Sequence, residues 1–392
     1  MDKAVSRTLW IDYLRSFITV LVIAHHSSLA YTTFASFNKT AYITSTNPIV
    51  DSQRWVGLDI FENFNDVFFM SLMFFIAGLF LFKSIQKKGA LAFSRDRVYR
   101  LLIPFLLGGT LLNLLAYFPA YKVAHDSNDI AAYVKDFFFV EQWPVGPPWF
   151  IWVLFVFNIV FALIYSLRKK WQSSELLFNV DWGKKPLGFI LGWFLFTFIL
   201  YVPFAFWLGV SNWTGFGPFD FQLNRALMYF GYFILGTAIG NTSFNDSIFN
   251  PTSSLVRNWK WWVFLSALTY TILTIFPATL TKMVKQNQLS ELVAYLIYFS
   301  IYVASCTLSC IAFITMFRAT VSTPKKWWNS LSDNAYLIYL VHYVFIVWSQ
   351  YLLLEAPFPA FVKFLITFVV SVSASWAVSI LIRKNAFLRR YL

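Results

Sequence analysis

Charge is what this sequence has least of. Asp, Glu, Lys and Arg make up 12% of 392 residues and apolar side chains 58%, whereas a soluble globular chain carries about 25% charge. That shortage excludes the two or three water-soluble domains a chain of this length would otherwise suggest, because too little polar side chain is available to coat them. Cysteine is scarcer still. Cys306 and Cys310 stand one helical turn apart in an apolar run, so a disulfide framework is excluded and no metal-ligand spacing exists. No metal site is expected. Acids are few as well, 18 against 31 Lys and Arg, for a net charge of +13. In a soluble protein that excess would suggest nucleic acid, but here it reads as membrane orientation, and no nucleic-acid partner is expected.

What is present is a series of apolar runs near the roughly 20 residues that a bilayer crossing requires. They predict spans at 9–32, 64–82, 101–119, 149–167, 187–208, 226–240, 261–280, 292–317, 335–353 and 361–382. With both tails cytoplasmic, 22 of the 31 basic residues fall inside and 8 outside, counting Lys363 at the outer end of the last span, as the positive-inside rule requires, and Arg15 remains within the first span. The first run continues too far, with no small-residue cleavage site, to suit a signal peptide. No internal repeat, low-complexity linker or attached soluble domain interrupts the chain. The expectation is an all-α polytopic membrane bundle of about ten transmembrane helices, both termini cytoplasmic, forming one domain over 1–392. Long outer loops at 33–60, 120–148 and 209–225 are rich in Trp, Tyr, Phe, Asn and Pro. They suit either a groove for a polar substrate or an aromatic belt at the interface.

One span contradicts its own setting. Residues 15–26 read RSFITVLVIAHH, an arginine and two histidines bracketing an uncharged run. Arg15 and His26 are eleven residues apart, about 20° beyond three helical turns, so they share a face roughly 16 Å apart along the axis. His25 points about 100° away. Intramembrane ionisable groups are costly unless paired or wetted, which makes them functional candidates. Plainer readings stand beside that one: Arg15 snorkelling to headgroups or pairing with Asp12, and a histidine serving as an interhelical hydrogen-bond partner.

The stretch IDYLRSFITVLVIAHH resembles the first-helix signature of the acyltransferase-3 family, in which an Arg precedes the key His by this spacing. Further motifs follow in the family's order. FFIAGLFL (Phe74–Leu81) is similar to the second-helix motif, with Ala77 where many members have Ser. RDRVYRLLIPF carries the Arg-x-x-Arg pair as Arg97 and Arg100. PPWFIWVLF resembles the Trp-Phe start of the fourth span, and DNAYLIYLVH holds Tyr336, Tyr339 and His342 in a Tyr-x-x-Tyr-x-x-His element. The resemblance covers nearly the whole chain, and the long first outer loop resembles the glucan-succinylating branch. It implies a multi-pass protein of a bacterial inner or plasma membrane. Such a protein transfers an acyl group, acetyl or succinyl above all, from a cytoplasmic acyl-CoA to a hydroxyl of an extracytoplasmic glycan, amid membrane lipid and without a resident cofactor.

That chemistry needs a base near the hydroxyl and a positive or hydrogen-bonding group near the thioester. An imidazole suits the first task, so His26 is the candidate general base, with Arg15 between it and the donor phosphates. Arg95, Arg97 and Arg100, at the cytoplasmic end of the third span, suit those phosphates and equally read as ordinary positive-inside charge. Tyr339 and His342 lie at i and i+3, where they either complete a donor tunnel or make a bundle hydrogen bond. Glu62 and Asp66, with Trp149 at the head of the fourth span, are acceptor-side candidates. The two acids would bind sugar hydroxyls, polarise His26, or sit at the interface with neither role. The competing class is a transporter or flippase of a polar envelope precursor. It predicts internal symmetry and broken helices, and no such symmetry is visible.

Overall fold

The computed structural model describes residues 8–167, 185–210, 212–241 and 248–391. The basic residues Lys3, Arg7, Arg168, Lys169, Lys170 and Lys184, which support the predicted orientation, lie outside the described residues. The chain is all-α, with a single two-stranded ribbon among the described residues. In order come α1 (Leu9–Leu29), a 3₁₀ turn (Tyr42–Thr44), α2 (Val56–Gly78), α3 (Leu81–Lys88) and α4 (Ala90–Arg97). Two π-helical segments, Val98–Leu102 and Pro104–Gly109, lead into α5 (Thr110–His125), α6 (Ile130–Phe139), α7 (Trp149–Leu167) and α8 (Pro186–Leu208). The ribbon β1 (Trp213–Thr214) and β2 (Phe221–Gln222) precedes α9 (Leu223–Asn241) and α10 (Ser254–Arg257). The chain closes with α11 (Trp259–Lys285), α12 (Glu291–Thr320), α13 (Lys326–Leu352), α14 (Ala360–Arg383) and α15 (Ala386–Tyr391).

Among the described residues, eight helices are long and apolar enough to cross a membrane. The two further expected spans correspond to α1 and α9, long helices excluded from that set by their polar residues. Several of those polar residues are answered by neighbouring helices: Ser16 by Ser332, His25 by Glu62 and Arg225 by Asp66. α2 begins at Val56 rather than near residue 64 for the same reason. Its early acids read as loop but find partners: Asp59 accepts from the Thr33 amide at 2.7 Å and from its hydroxyl, and Glu62 Oε1 lies 3.6 Å from His25 Nε2. The expected loop at 120–148 is likewise partly helical, since α5 runs to His125 and α6 is capped by Asp129, whose side chain accepts from the Ala131 and Ala132 amides.

α2 and α9 cross at contact distance because glycines allow it. A Cβ on Gly236 would stand 2.0 Å from the Phe75 carbonyl oxygen, and one on Gly240 1.8 Å from that of Leu79. From the other side, a Cβ on Gly78 would stand 2.2 Å from the Phe233 carbonyl oxygen. This is the small-residue interface that lets membrane helices approach closely. Aromatics fill the surrounding core: Phe75 stacks on Trp193 at 5.0 Å, and Phe74 on Tyr229 at 5.1 Å.

α13 ties the remaining helices to this core through carbonyls that prolines release. Pro104 has no amide hydrogen, so an i→i−4 bond to the Arg100 carbonyl cannot form; the Tyr336 hydroxyl donates to that carbonyl at 2.9 Å. Pro119 does the same to Leu115, and Trp348 Nε1 donates to that carbonyl at 2.8 Å. Substituting Gly236 tests the packing account. Gly236→Val has no room against a backbone carbonyl, so it is expected to destabilise by at least the roughly 1–3 kcal/mol of an overpacked core. Thermal unfolding of purified protein would read this as a lowered midpoint, and an unchanged midpoint would remove the close crossing.

Candidate active site

α1 brings its polar stripe to the centre of the bundle. At one end Arg15, whose Nη2 is 3.3 Å from Asp12 Oδ1, lines a cavity of about 460 Å³. Thr19, Ser84, Arg97, Asn158 and Tyr336 share its wall, and Tyr339 also lines it. Arg97 donates to the Ser84 hydroxyl at 3.5 Å and lies over the Phe93 ring at 4.6 Å. The two arginines of the Arg-x-x-Arg pair therefore part company. Arg100 pairs with Asp96 at 3.2 Å with its side chain half exposed, and neither it nor the exposed Arg95 is among the residues lining the cavity. The π-helical turn starting at Val98 changes the angular step between Arg97 and Arg100 from that of a regular helix.

Along the same helix stands a histidine group. The His26 ring is 5.4 Å from that of His342, 5.1 Å from that of His25 and 5.7 Å from that of Tyr343. His26 Nδ1 is 2.8 Å from the Val22 carbonyl oxygen. A carbonyl only accepts, so Nδ1 carries the hydrogen and Nε2 keeps its lone pair in the neutral ring. His342 is fully buried and locked the same way, Nδ1 to the Tyr339 carbonyl at 2.5 Å. Its Nε2 has no hydrogen-bond partner among the described residues. Its ring is 5.6 Å from that of Tyr339, whose hydroxyl donates to the Pro147 carbonyl. Cavity, Tyr339, His342 and His26 are thus consecutive neighbours.

The acids are committed elsewhere. Glu62 Oε1 lies 3.6 Å from His25 Nε2, so Glu62 faces His25 and not His26. Asp66 receives both terminal nitrogens of Arg225, at 2.9 and 2.7 Å. Trp149 packs edge-on against Trp213 at 5.6 Å and beside Tyr229 at 5.9 Å, an aromatic cluster under the ribbon. Outside the spans, burial pushes the Glu141 carboxyl up from its ordinary range while the Ile43 and Tyr42 amides pull it down; those amides lie 2.5 and 3.1 Å away. Among the described residues no group of three or more His, Cys, Asp or Glu is arranged to hold a metal ion.

The acyltransferase-3 family model, described as an acyltransferase domain, matches residues 8–380. The chain belongs to that family. Its relatives include Glucans biosynthesis protein C of Salmonella heidelberg (strain SL476), 25% identical over 236 residues. The protein of the same name from Shigella dysenteriae serotype 1 (strain Sd197) is 26% identical over 243 residues. Each match covers 59% of this chain and 57% of the relative, so the chain spans a little over half the length of these relatives. No solved structure matches it.

Sequence reasoning missed Arg225 and Gln350. Arg225 read as an outer-loop charge one residue before the predicted sixth span. The signal that it belongs inside was the pair of acids, Glu62 and Asp66, that needed a cation. Its side chain is only 9% exposed, so removing Asp66 strands a buried guanidinium. Asp66→Leu is expected to destabilise by about 3–5 kcal/mol, and adding Arg225→Leu to recover most of that loss. Thermal midpoints of the two variants check this; a double variant less stable than Asp66→Leu alone contradicts it.

Proposed function

We propose that this acyltransferase moves an acyl group, acetyl or succinyl, from a cytoplasmic acyl-CoA to a hydroxyl of an extracytoplasmic glycan, in a bacterial plasma membrane. The observation that carries the reading is the unbroken run from an arginine-lined cavity through Tyr339 and His342 to a histidine whose Nε2 keeps its lone pair. The relatives named for glucan biosynthesis favour a glucan as the acceptor.

The donor is a polyanion on a long, thin arm. Its phosphates suit Arg97 at the cavity wall, and the arm passes Arg15 toward His26, a distance along α1 of roughly 16 Å. His26 Nε2 takes the proton of the acceptor hydroxyl, and the oxygen attacks the thioester carbonyl carbon. The carbon–sulfur bond then breaks, and the thiolate takes the proton as it leaves. A positioned base of this kind contributes about 10²–10⁴-fold. Tyr343, edge-on to His26, limits where the ring can turn.

Purified protein supplied with radiolabelled acetyl-CoA or succinyl-CoA and a glucan oligosaccharide tests the proposal. Label should pass to the sugar, and His26→Ala should lose about 10²–10⁴-fold of that rate, with His25→Ala retaining most of it. A His26→Ala protein that transfers label at the wild-type rate would end the assignment. Calorimetry separates the arginines. Arg97→Ala should weaken acyl-CoA binding well beyond Arg100→Ala, and equal effects would put the phosphates outside the cavity.

A further inference from the structure

The last turn of a helix leaves carbonyls without helical donors, and within a membrane something else must meet them. α1 stops at Leu29, and the amides of Ala30 and Tyr31 both turn to the Ser28 carbonyl. The carbonyls of His26 and Ser27 are answered instead from α13. Gln350 Nε2 donates to the His26 carbonyl at 3.1 Å and to that of Ser27 at 3.4 Å. The other end of the same amide looks outward: Gln350 Oε1 accepts from Asn47 Nδ2 at 2.8 Å. Asn47 belongs to the loop between α1 and α2, and its Nδ2 also donates to the Ile49 carbonyl at 2.7 Å. Both side chains are buried, Gln350 at 0% and Asn47 at 1% exposure.

That loop is held as a unit. Asp51 pairs with Lys363 of α14 at 2.6 Å, both side chains at 1% exposure, and Lys363 donates as well to the Leu354 carbonyl at 3.1 Å. Glu141 grips the Tyr42 and Ile43 amides. Among these anchors, the Asn47–Gln350 pair ends on the residue that bears the candidate base.

We propose that Gln350 is a positioning residue for His26, and that through Asn47 it couples the outer loop to the base. The inference rests on the reading of His26 as general base. A hydrogen bond to the carbonyl of His26 sets where the last turn of α1 sits, and therefore where Nε2 lies relative to His342 and Tyr343. A glycan seated against the outer loop shifts Asn47, and two hydrogen bonds pass that shift to the backbone of His26. The amide of Gln350 suits this task because one end donates and the other accepts. A carboxylate at this position would still accept from Asn47 but offer the His26 carbonyl no hydrogen.

The experiment compares Gln350→Glu, Gln350→Leu, Asn47→Ala and the Asn47→Ala/Gln350→Leu double with wild type. Three quantities are measured: label transfer from saturating acetyl-CoA to a glucan oligosaccharide, acetyl-CoA affinity, and the rate at which diethyl pyrocarbonate modifies His26, located by mass spectrometry. Gln350→Glu should lower transfer about tenfold, the size expected for one buried hydrogen bond. Acetyl-CoA affinity should stay at the wild-type value, and the His26 modification rate should change. Asn47→Ala and Gln350→Leu should each lower transfer, with the double no worse than the worse single, because the two residues act as one unit. Gln350→Glu with wild-type transfer and wild-type His26 modification overturns the proposal, as does a double whose losses multiply. If wild-type protein transfers no label, the acyltransfer reading fails by itself, and the modification rates still decide whether Gln350 positions His26. A Gln350→Leu protein that does not fold leaves Gln350→Glu to decide, since that variant keeps the contact with Asn47.

Discussion

Backbone carbonyls without helical donors are what this bundle is arranged around. In hydrocarbon, every such group must find a partner inside the protein, and α13 supplies donors to several of them. Tyr336 answers the carbonyl that Pro104 frees, Trp348 the one that Pro119 frees, and Gln350 those at the end of α1. Tyr339 adds the Pro147 carbonyl, at the turn into α7. The helix that completes the backbone of its neighbours is therefore also the one that sets the wall of the cavity and the surroundings of His26.

The same constraint acts on the side chains. An imidazole held in an apolar interior keeps a defined base only when its other nitrogen is bonded. The Val22 carbonyl does this for His26, and the Tyr339 carbonyl for His342. Both rings then present Nε2 as an acceptor. His25 differs: its Nε2 faces Glu62, while its Nδ1 has no hydrogen-bond partner among the described residues. Adjacent histidines on one helix thus have different chemistry because successive residues on a helix point about 100° apart.

The helical class and the shared stripe of Arg15 and His26 were legible because both follow from a period of 3.6 residues. The start of α2 was not, since Asp59 and Glu62 look like loop residues until their partners in Thr33 and His25 are known. The split of Arg97 from Arg100 was equally hidden, because a regular helical period does not anticipate π-helical turns. Gln350 gave no signal at all. A glutamine near the end of an apolar span reads as an interfacial residue, and only the approach of α1 and the outer loop gives its amide two partners.

On the proposed mechanism, one donor molecule reaches from Arg97 to His26 through the cavity beside Tyr339. Electron cryomicroscopy of the protein bound to a thioether analogue of acetyl-CoA tests it most directly. The account predicts phosphates at Arg97, the arm passing Arg15 and Tyr339, and the carbonyl of the analogue beside His26 Nε2. An analogue bound with its carbonyl remote from His26, or with its phosphates away from the cavity, would contradict it.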